Sequence, residues 1–183
     1  VYVGQKVQGI NEAYARDGYM LAHVDGIAVD DNGMLHIHIV EGIVEDIVPA
    51  GNKKTRNKVI TREFVQKTGK PFNKFLVRRS VERVYNLGFF DDVNVRMLPG
   101  EKDPNNVIIE IDVLEHKTGT ITLGAGYSKS DGLMGIVEFG EDNLRGTGDK
   151  FKVHWEIGGK KKYKNYQISY LKPWIDHRGT SLG

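Results

Sequence analysis

His36 and His38 are the residues whose types and spacing come closest to a metal site. They lie two positions apart in an alternating segment, so both side chains would face the same side of a strand, where paired imidazoles could bind zinc. The chain has no cysteine, which excludes a thiolate metal site, a disulfide scaffold and a cysteine nucleophile. Because the other histidines show no partner pattern, we interpret His36 and His38 as part of an exposed sheet face and predict no metal ion.

Two glycine-rich stretches could be mistaken for phosphate loops, at residues 124–126 and 146–148. Neither opens a helix after a parallel strand, and no Gly-Lys-Ser/Thr follows, so we predict no nucleotide site and no cofactor. Asp91 and Asp92 form an acidic pair, but no second catalytic group lies near them in the sequence. The net charge of +2 gives no sign of a nucleic-acid partner. We therefore predict no catalytic residues and no enzymatic activity.

The strongest pattern is an alternation between Thr120 and Leu171 that puts nearly every apolar side chain on one face, with polar or glycine residues on the other. Short turns join the alternating segments. This is the pattern of an outer-membrane β-barrel wall, with apolar side chains toward lipid and polar side chains toward the lumen. Four strands cannot close a barrel, so we expect the chain to be a piece of a longer protein. The predicted strands are Thr120–Ser128, Leu133–Phe139, which is short, Lys150–Ile157 and Tyr163–Leu171, with a loop at Gly158–Lys162.

The middle of the chain has a different pattern, which predicts elements in the order β-α-α-β-β. Asn73 is placed to cap a helix whose buried stripe would be Val77, Val81 and Val84, with Gly88 just past its end. Residues 1–43 repeat the second half of this unit, with a helix at 10–17 and a hairpin at 24–41. The strands predicted in the middle unit are Glu45–Ala50, Val93–Leu98 and Val107–Leu114, and the helices are Lys58–Gln66 and Asn73–Leu87.

Three local signatures then coincide in order along the chain. Leu87-Gly88-Phe89-Phe90, after a helix and before a strand, resembles the mark of POTRA domains, the periplasmic modules of outer-membrane assembly proteins. Residues 119–128 resemble the first barrel strand of the BamA family. Residues 142–148, followed by 172–174 (Lys-Pro-Trp), are similar to the first periplasmic turn and the end of the fourth strand in that family. Arg145 departs from the pattern, since the family often has an apolar or aromatic residue there.

The resemblance implies α+β POTRA units followed by antiparallel transmembrane β-barrel strands. It predicts the C-terminal part of a POTRA domain at residues 1–43, a complete POTRA domain at 44–116 and the first barrel strands at 117–183. It also implies a location in the outer membrane, with the POTRA domains in the periplasm. The implied function is the insertion of unfolded outer-membrane proteins. The expected partners are these clients, outer-membrane lipids and accessory assembly lipoproteins.

Two strand edges are the expected functional sites. An exposed edge is a template for another chain's backbone, and main-chain pairing tolerates many sequences. The resemblance implies client capture at a POTRA edge, and it makes the first barrel strand one side of a lateral gate. Glycines in that strand should weaken its packing. The predicted client-binding edge is Val93, Asn94, Val95 and Arg96, and the predicted gate strand is Thr120, Ile121, Thr122, Leu123, Gly124, Ala125, Gly126 and Tyr127.

Two alternatives remain open from the sequence. A two-partner secretion transporter would pass an unfolded exoprotein through its barrel. A soluble periplasmic scaffold would instead pack the C-terminal sheet against another part of the protein.

Overall fold

The computed structural model describes residues 2–130, 132–159, 164–176 and 179–183. Part of the predicted loop at Gly158–Lys162 and the predicted strand start at Tyr163 lie outside these residues. The elements form three sheets, with strand orders β1-β2, β3-β5-β4 and β6-β7-β8-β9. They are α1 (Tyr2–Arg16), β1 (His23–Val29), β2 (Leu35–Val40), β3 (Val44–Ala50), α2 (Asn57–Thr61), α3 (Lys74–Tyr85), β4 (Phe90–Pro99), β5 (Val107–Glu115), β6 (Gly119–Ser128), β7 (Gly132–Leu144), β8 (Asp149–Gly158) and β9 (Lys164–Leu171).

The chain divides into two compact units that do not follow the sequence linearly. The first contains residues 1–51, 60–86 and 92–114, and the second contains 52–59, 87–91 and 115–183. The first is a mixed α+β unit and the second carries the antiparallel four-stranded sheet, as the sequence predicts. Among the residues that the structure describes, no helix combines the length and the apolar character needed to cross a membrane.

β5 is the central strand of the first unit's three-stranded sheet. It pairs in parallel with β3, from Val44 opposite Val107 to Ala50 opposite Asp112. Every second residue of β5 is apolar and buried, so one face of the strand belongs to the core. The buried apolar side chains of this unit include Val44, Ile60, Phe64, Phe72, Val77, Val84, Val93, Val107, Ile109, Ile111 and Val113.

Asn73 caps α3, as predicted. Its side-chain Oδ1 accepts the backbone N–H groups of Phe75 and Leu76, which have no partner within the helix. Its Nδ2 donates to the carbonyl of Asp17 at 2.9 Å, and Lys74 N–H donates to the carbonyl of Gly18. One buried asparagine therefore starts a helix and fastens the end of the α1 segment to it.

The predicted helix Lys58–Gln66 is too long, because α2 ends at Thr61. The Ser80 hydroxyl of α3 accepts the N–H groups of Val65 at 2.8 Å and Gln66 at 3.2 Å. The buried Gln66 side chain bonds in turn to the carbonyl of Pro71 and the N–H of Asn73. Since side chains satisfy these backbone groups, the segment does not need helical hydrogen bonds.

The ends of the other helices also differ from prediction. α1 starts at Tyr2 rather than near residue 10. α3 ends at Tyr85, with Asn86 as its C-cap, so Gly88 lies further past the end than expected, although it has the left-handed φ of 73° that favours glycine. Within the helix, Ser80 replaces Val81 as the fully buried residue of the stripe.

The second unit's sheet is antiparallel throughout. β6 pairs with β7 without interruption, from Gly119 opposite Glu141 to Ser128 opposite Gly132. Most apolar side chains of this sheet share one face, and many of them are exposed, with Ile121, Leu123 and Tyr127 each more than 70% exposed. Met134 and Ile136 lie on the other face and are half-buried. This is the arrangement expected of a wall that faces lipid.

The sequence predicted a short second barrel strand, but in the structure this strand is the longest of the four. β7 continues beyond Phe139 to Leu144. Gly140 leaves room for the Thr120 side chain, since a Cβ at position 140 would lie 2.6 Å from the Thr120 Oγ1. Glu141 then pairs with Gly119 on one side and Phe151 on the other, so the ladder extends past the point where the apolar alternation stops.

Candidate functional site

The four residues predicted to bind clients lie together on β4, at one edge of the three-stranded sheet. Val93 is buried, Val95 is half-buried, and Asn94 and Arg96 are exposed. The Arg96 guanidinium reaches back to β5, where it lies 2.7 Å from the Glu110 carboxylate. The side chains therefore pack against the sheet and leave the outer edge to the backbone.

The outer edge of β4 offers only a short row of hydrogen-bond donors. Gly100 N–H donates to Asn106 O across the β4–β5 connection, and backbone groups of successive strand residues point to opposite sides. The N–H groups of Val93, Val95 and Met97 therefore point away from β5. The Asp92 carboxylate accepts the N–H of Val93 at 2.9 Å. Val95 and Met97 are left to pair with another strand.

The opposite edge of the same sheet, along β3, is closed. Val44 exchanges two backbone hydrogen bonds with residues 69–70. The N–H of Ile47 is accepted by the side chain of Asp46 at 2.7 Å, and Pro49 has no N–H. Val44 makes its bonds on the side away from β5, and the register shift between Val44 and Asp46 reverses the phase of the alternation, so Ile47 and Pro49 also face away from β5. An added strand therefore finds no donor at these three positions.

The predicted gate residues, Thr120 to Tyr127, all lie on β6, which is an edge strand of the four-stranded sheet. In its far half, each of three successive cross-strand pairs contains a glycine: Gly124 lies opposite Ile136, Ala125 opposite Gly135 and Gly126 opposite Met134. Glycine contributes no side-chain packing, so this half of the strand is held mainly by backbone hydrogen bonds.

The near end of β6 carries a network that the sequence analysis missed. The Thr118 hydroxyl donates to Glu141, and Lys54 Nζ lies 2.9 Å from both the Thr118 hydroxyl and the Glu141 carboxylate. Thr118 is 64 residues from Lys54 and 23 from Glu141. No periodicity or motif connects residues at such separations, so the pattern gave no signal for it.

The turn between β7 and β8 centres on Asn143, which is 1% exposed. Its Nδ2 donates to the Thr55 hydroxyl at 2.8 Å, and its Oδ1 accepts the N–H of Gly148. Gly146 has a φ of 73°, and a Cβ there would lie 1.8 Å from the Lys54 carbonyl oxygen. The motif residues of this turn therefore hold the 52–59 loop against it, and Gly146 cannot accept a side chain without moving that loop.

Glu115 fixes the same loop from the end of β5. Its carboxylate accepts the backbone N–H groups of Lys53, Lys54 and Thr55, at 2.6–2.8 Å. Burial acts to raise the pKa of Glu115, but the hydrogen bonds from residues 53–55 outweigh it, so that the pKa lies below its ordinary value. The charged form is thus the one that holds the loop.

The two histidines considered as metal ligands have separate carboxylate partners. His36 Nε2 lies 3.3 Å from Asp30, and His38 Nδ1 lies 3.3 Å from Asp25. In the described ranges, no group of three or more His, Cys, Asp or Glu residues could hold a metal ion.

The polar face of the four-stranded sheet carries an open cleft of about 180 Å³. His154 lies in it beside Glu138, with 3.3 Å between the His154 Nδ1 and the carboxylate. The cleft is lined by Glu138, Lys152, His154, Asn165, Gln167 and Ser169.

The chain is similar to known proteins along most of its length. The POTRA family, described as a surface antigen variable number repeat, matches residues 43–116. The outer membrane protein assembly factor BamA of Neisseria meningitidis serogroup B is 33% identical over 150 residues, which cover 80% of this chain. The chain spans only 19% of the length of that protein.

Two solved structures share the fold. The crystal structure of BamA from Haemophilus ducreyi lacking POTRA domains 1–3 matches 97% of this chain and 35% of its own, with a TM-score of 0.72 and 24% identity. CdiB from Escherichia coli matches 90% of this chain and 31% of its own, with a TM-score of 0.63 and 17% identity. At these identities the likeness shows the fold alone.

Proposed function

Because this chain belongs to the BamA family of outer-membrane protein assembly factors, we propose that it receives unfolded outer-membrane proteins through its POTRA domains and inserts them into the outer membrane. It is an outer-membrane protein with POTRA domains in the periplasm. We divide it into the end of one POTRA domain (1–43), a complete POTRA domain (44–116) and the first barrel strands (117–183). The family match to residues 43–116 supports this division.

The observation that carries the proposal is the open outer edge of β4. An unfolded client can add a strand there by pairing with the backbone of Val95 and Met97, so the capture site consists of the predicted residues Val93 to Arg96 together with Met97. Main-chain pairing does not depend on client sequence, as a general assembly factor requires. The Asp92 carboxylate shortens the edge, which limits pairing with unwanted strands.

The second part of the mechanism is β6. As an edge strand whose far half has four glycines in or opposite it, β6 is suited to separate from the adjacent strand and to pair with an incoming client strand. Its exposed apolar side chains would contact lipid while this happens. No step needs a cofactor, a metal ion, a nucleic acid or a catalytic group. Outer-membrane lipids and accessory assembly lipoproteins complete the proposed set of partners.

A second candidate is a two-partner secretion transporter, which exports one unfolded exoprotein through its barrel. The likeness to CdiB supports it at the level of fold. The assembly function is favoured because the relatives with the higher identity are named assembly factors. Membership of this family also argues against the soluble periplasmic scaffold.

Site-specific photo-crosslinking in the full-length protein tests the proposal. Probes at Asn94 on β4 and Thr122 on β6 should both capture several different nascent barrel proteins. A single exoprotein at both positions, or no client at Thr122, would favour the secretion transporter.

A matched pair of proline variants tests the capture edge separately. Val95→Pro removes an outward N–H and should reduce client adducts at Asn94, with little change in the stability of the domain. Asn94→Pro removes an inward N–H of the β4–β5 ladder and should destabilise the domain instead. Equal effects of the two variants on stability and capture would count against the β4 edge.

A further inference from the structure

We propose that Lys54, Thr118 and Glu141 form an anchor that fixes the near end of β6, so that the strand moves from its far end, residues 124–128, about a pivot at Thr118. The inference rests on the proposed function in one respect, namely that β6 moves during client insertion. We call these three residues the β6 anchor.

The first argument is the geometry of the β6 anchor. Lys54 Nζ lies 2.9 Å from both the Thr118 hydroxyl and the Glu141 carboxylate, and the same carboxylate accepts the Thr118 hydroxyl. Thr118 is 7% exposed, the Glu141 side chain 16% and the Lys54 side chain 42%, so solvent screens the carboxylate less than the ammonium group. Asp142 N–H also donates to the Thr118 carbonyl. Both the side chain and the backbone of Thr118 are therefore held.

The second argument is that the backbone of Lys54 is itself held in place. Its N–H donates to Glu115, and so do those of its two neighbours. Its carbonyl oxygen lies in close contact with Gly146, and the N–H of Arg56 donates to the Gly146 carbonyl. A lysine side chain normally samples many rotamers, but here its backbone is fixed on both sides. Lys54 can therefore position Thr118 rather than simply follow it.

The third argument is the contrast within β6. At the near end, the Thr120 side chain packs over Gly140, next to the anchor. At the far end, glycines at 124, 126 and 135 remove side-chain contacts across the β6–β7 pair. The near half thus has side-chain restraints that the far half lacks.

Hydrogen exchange in the full-length protein, reconstituted in lipid nanodiscs, tests the anchor. Amides of residues 119–123 should exchange about 10-fold more slowly than those of 124–128. Glu141→Gln keeps the shape but removes the charge, and it should raise exchange of the near half by about 10-fold. Glu138→Gln, a carboxylate on the same strand outside the anchor, should leave exchange of residues 119–123 unchanged.

Charge reversal separates positioning from general stability. Lys54→Glu and Glu141→Lys should each remove the protection of the near half, and the double variant should restore it. If the Glu141 variants fail to fold, as judged by heat-modifiable migration on gels, Thr118→Val should remove the protection while Thr118→Ser keeps it.

Equal exchange along β6 in the unaltered protein, or equal effects of Glu141→Gln and Glu138→Gln, would overturn the anchor. Failure of the proposed function looks different, because client adducts at Thr122 would be missing while the exchange gradient remained. In that case the anchor stands and only its use in client insertion is lost.

Discussion

β5 and β6 follow each other in the chain and alternate in the same way, yet they place their apolar side chains in opposite environments. In β5, Ile109 and Ile111 are fully buried, whereas in β6, Ile121 and Leu123 are about three-quarters exposed. Alternation thus specifies which residues share a face, but not what covers that face. In the first unit protein atoms bury that face, and in the second the face stays exposed, as the proposed contact with lipid requires.

The environments differ because of what surrounds each strand. β5 is a central strand, with β3 and β4 on either side and a buried helix stripe, Val77, Ser80 and Val84, in the same unit. β6 is an edge strand, and the second unit contributes no long helix to cover it among the residues described. Substitutions can therefore test whether apolar side chains in the two strands contribute differently to the stability of the folded protein.

The largest difference is expected from the same substitution in both strands. Ile111→Ala should lower the free energy of unfolding of the POTRA domain by about 2–5 kcal/mol, because it leaves a cavity in a packed core. Ile121→Ala should leave that value unchanged, since its side chain is outside the core. Pulse proteolysis of the full-length protein in urea measures both. Similar losses for the two variants would contradict the contrast.

A charge on the exposed apolar face should have the next largest effect. Ile168, 70% exposed, is on that face, and Ile168→Lys should disfavour membrane integration by about 2–4 kcal/mol if the position lies near the bilayer midplane. Gln167→Lys places the same charge on the polar face and should integrate normally. Membrane fractionation of the two variants measures this, and normal integration of Ile168→Lys would remove the lipid-facing assignment.

A smaller effect is expected at the α3 cap. Asn73→Ala removes the acceptor for two helix N–H groups and the donor to Asp17, and should cost about 0.5–2 kcal/mol in the first unit. Asn73→Asp keeps the acceptor but loses the donor to Asp17, so it should recover the helix cap but not the hydrogen bond to the Asp17 carbonyl. Urea unfolding followed by pulse proteolysis ranks the variants. An alanine variant as stable as the unaltered protein would show that the cap is dispensable.

The smallest effect should come from pH at Glu115. Its pKa in the folded protein is lowered from the ordinary 4.5, so its contribution to stability is complete above that value and declines as the pH falls through the lowered pKa. Protection of the 52–55 amides against hydrogen exchange, corrected for intrinsic rates, should therefore decline below about pH 4.5. Glu115→Gln should remove this pH dependence. A pH-dependent loss that persists in that variant would assign the effect to another carboxyl group.

The sequence predicted most of the regular elements, because periodicity and caps are local. The alternation located the strands, and Asn73 located the start of α3. The sequence-based prediction failed where side chains from distant parts of the chain form hydrogen bonds with backbone N–H groups. Ser80 ends α2 early by accepting N–H groups 14 and 15 residues away, and nothing in the apolar stripe indicates this.

The candidate sites were predicted as strands but not in their detail. That β4 and β6 lie at sheet edges followed from the family resemblance. The family resemblance did not show which backbone donors of these edges are available. That depends on which N–H groups point outward, and on whether Asp92 or Asp46 accepts them or, as at Pro49, the N–H is missing. The β6 anchor was missed for the same reason, since Lys54, Thr118 and Glu141 are brought together only by the folded chain.

The closed β3 edge has a consequence for stoichiometry. A sheet with two open edges can accept a strand on each side, and copies of it can then join into a growing chain. Here strand addition along β3 is blocked by three features: Pro49, the Asp46–Ile47 hydrogen bond and the pairing of Val44 with residues 69–70. On the proposed function, a client strand that adds to β4 would be the last strand of the sheet, and each POTRA domain of this kind would have a valency of one.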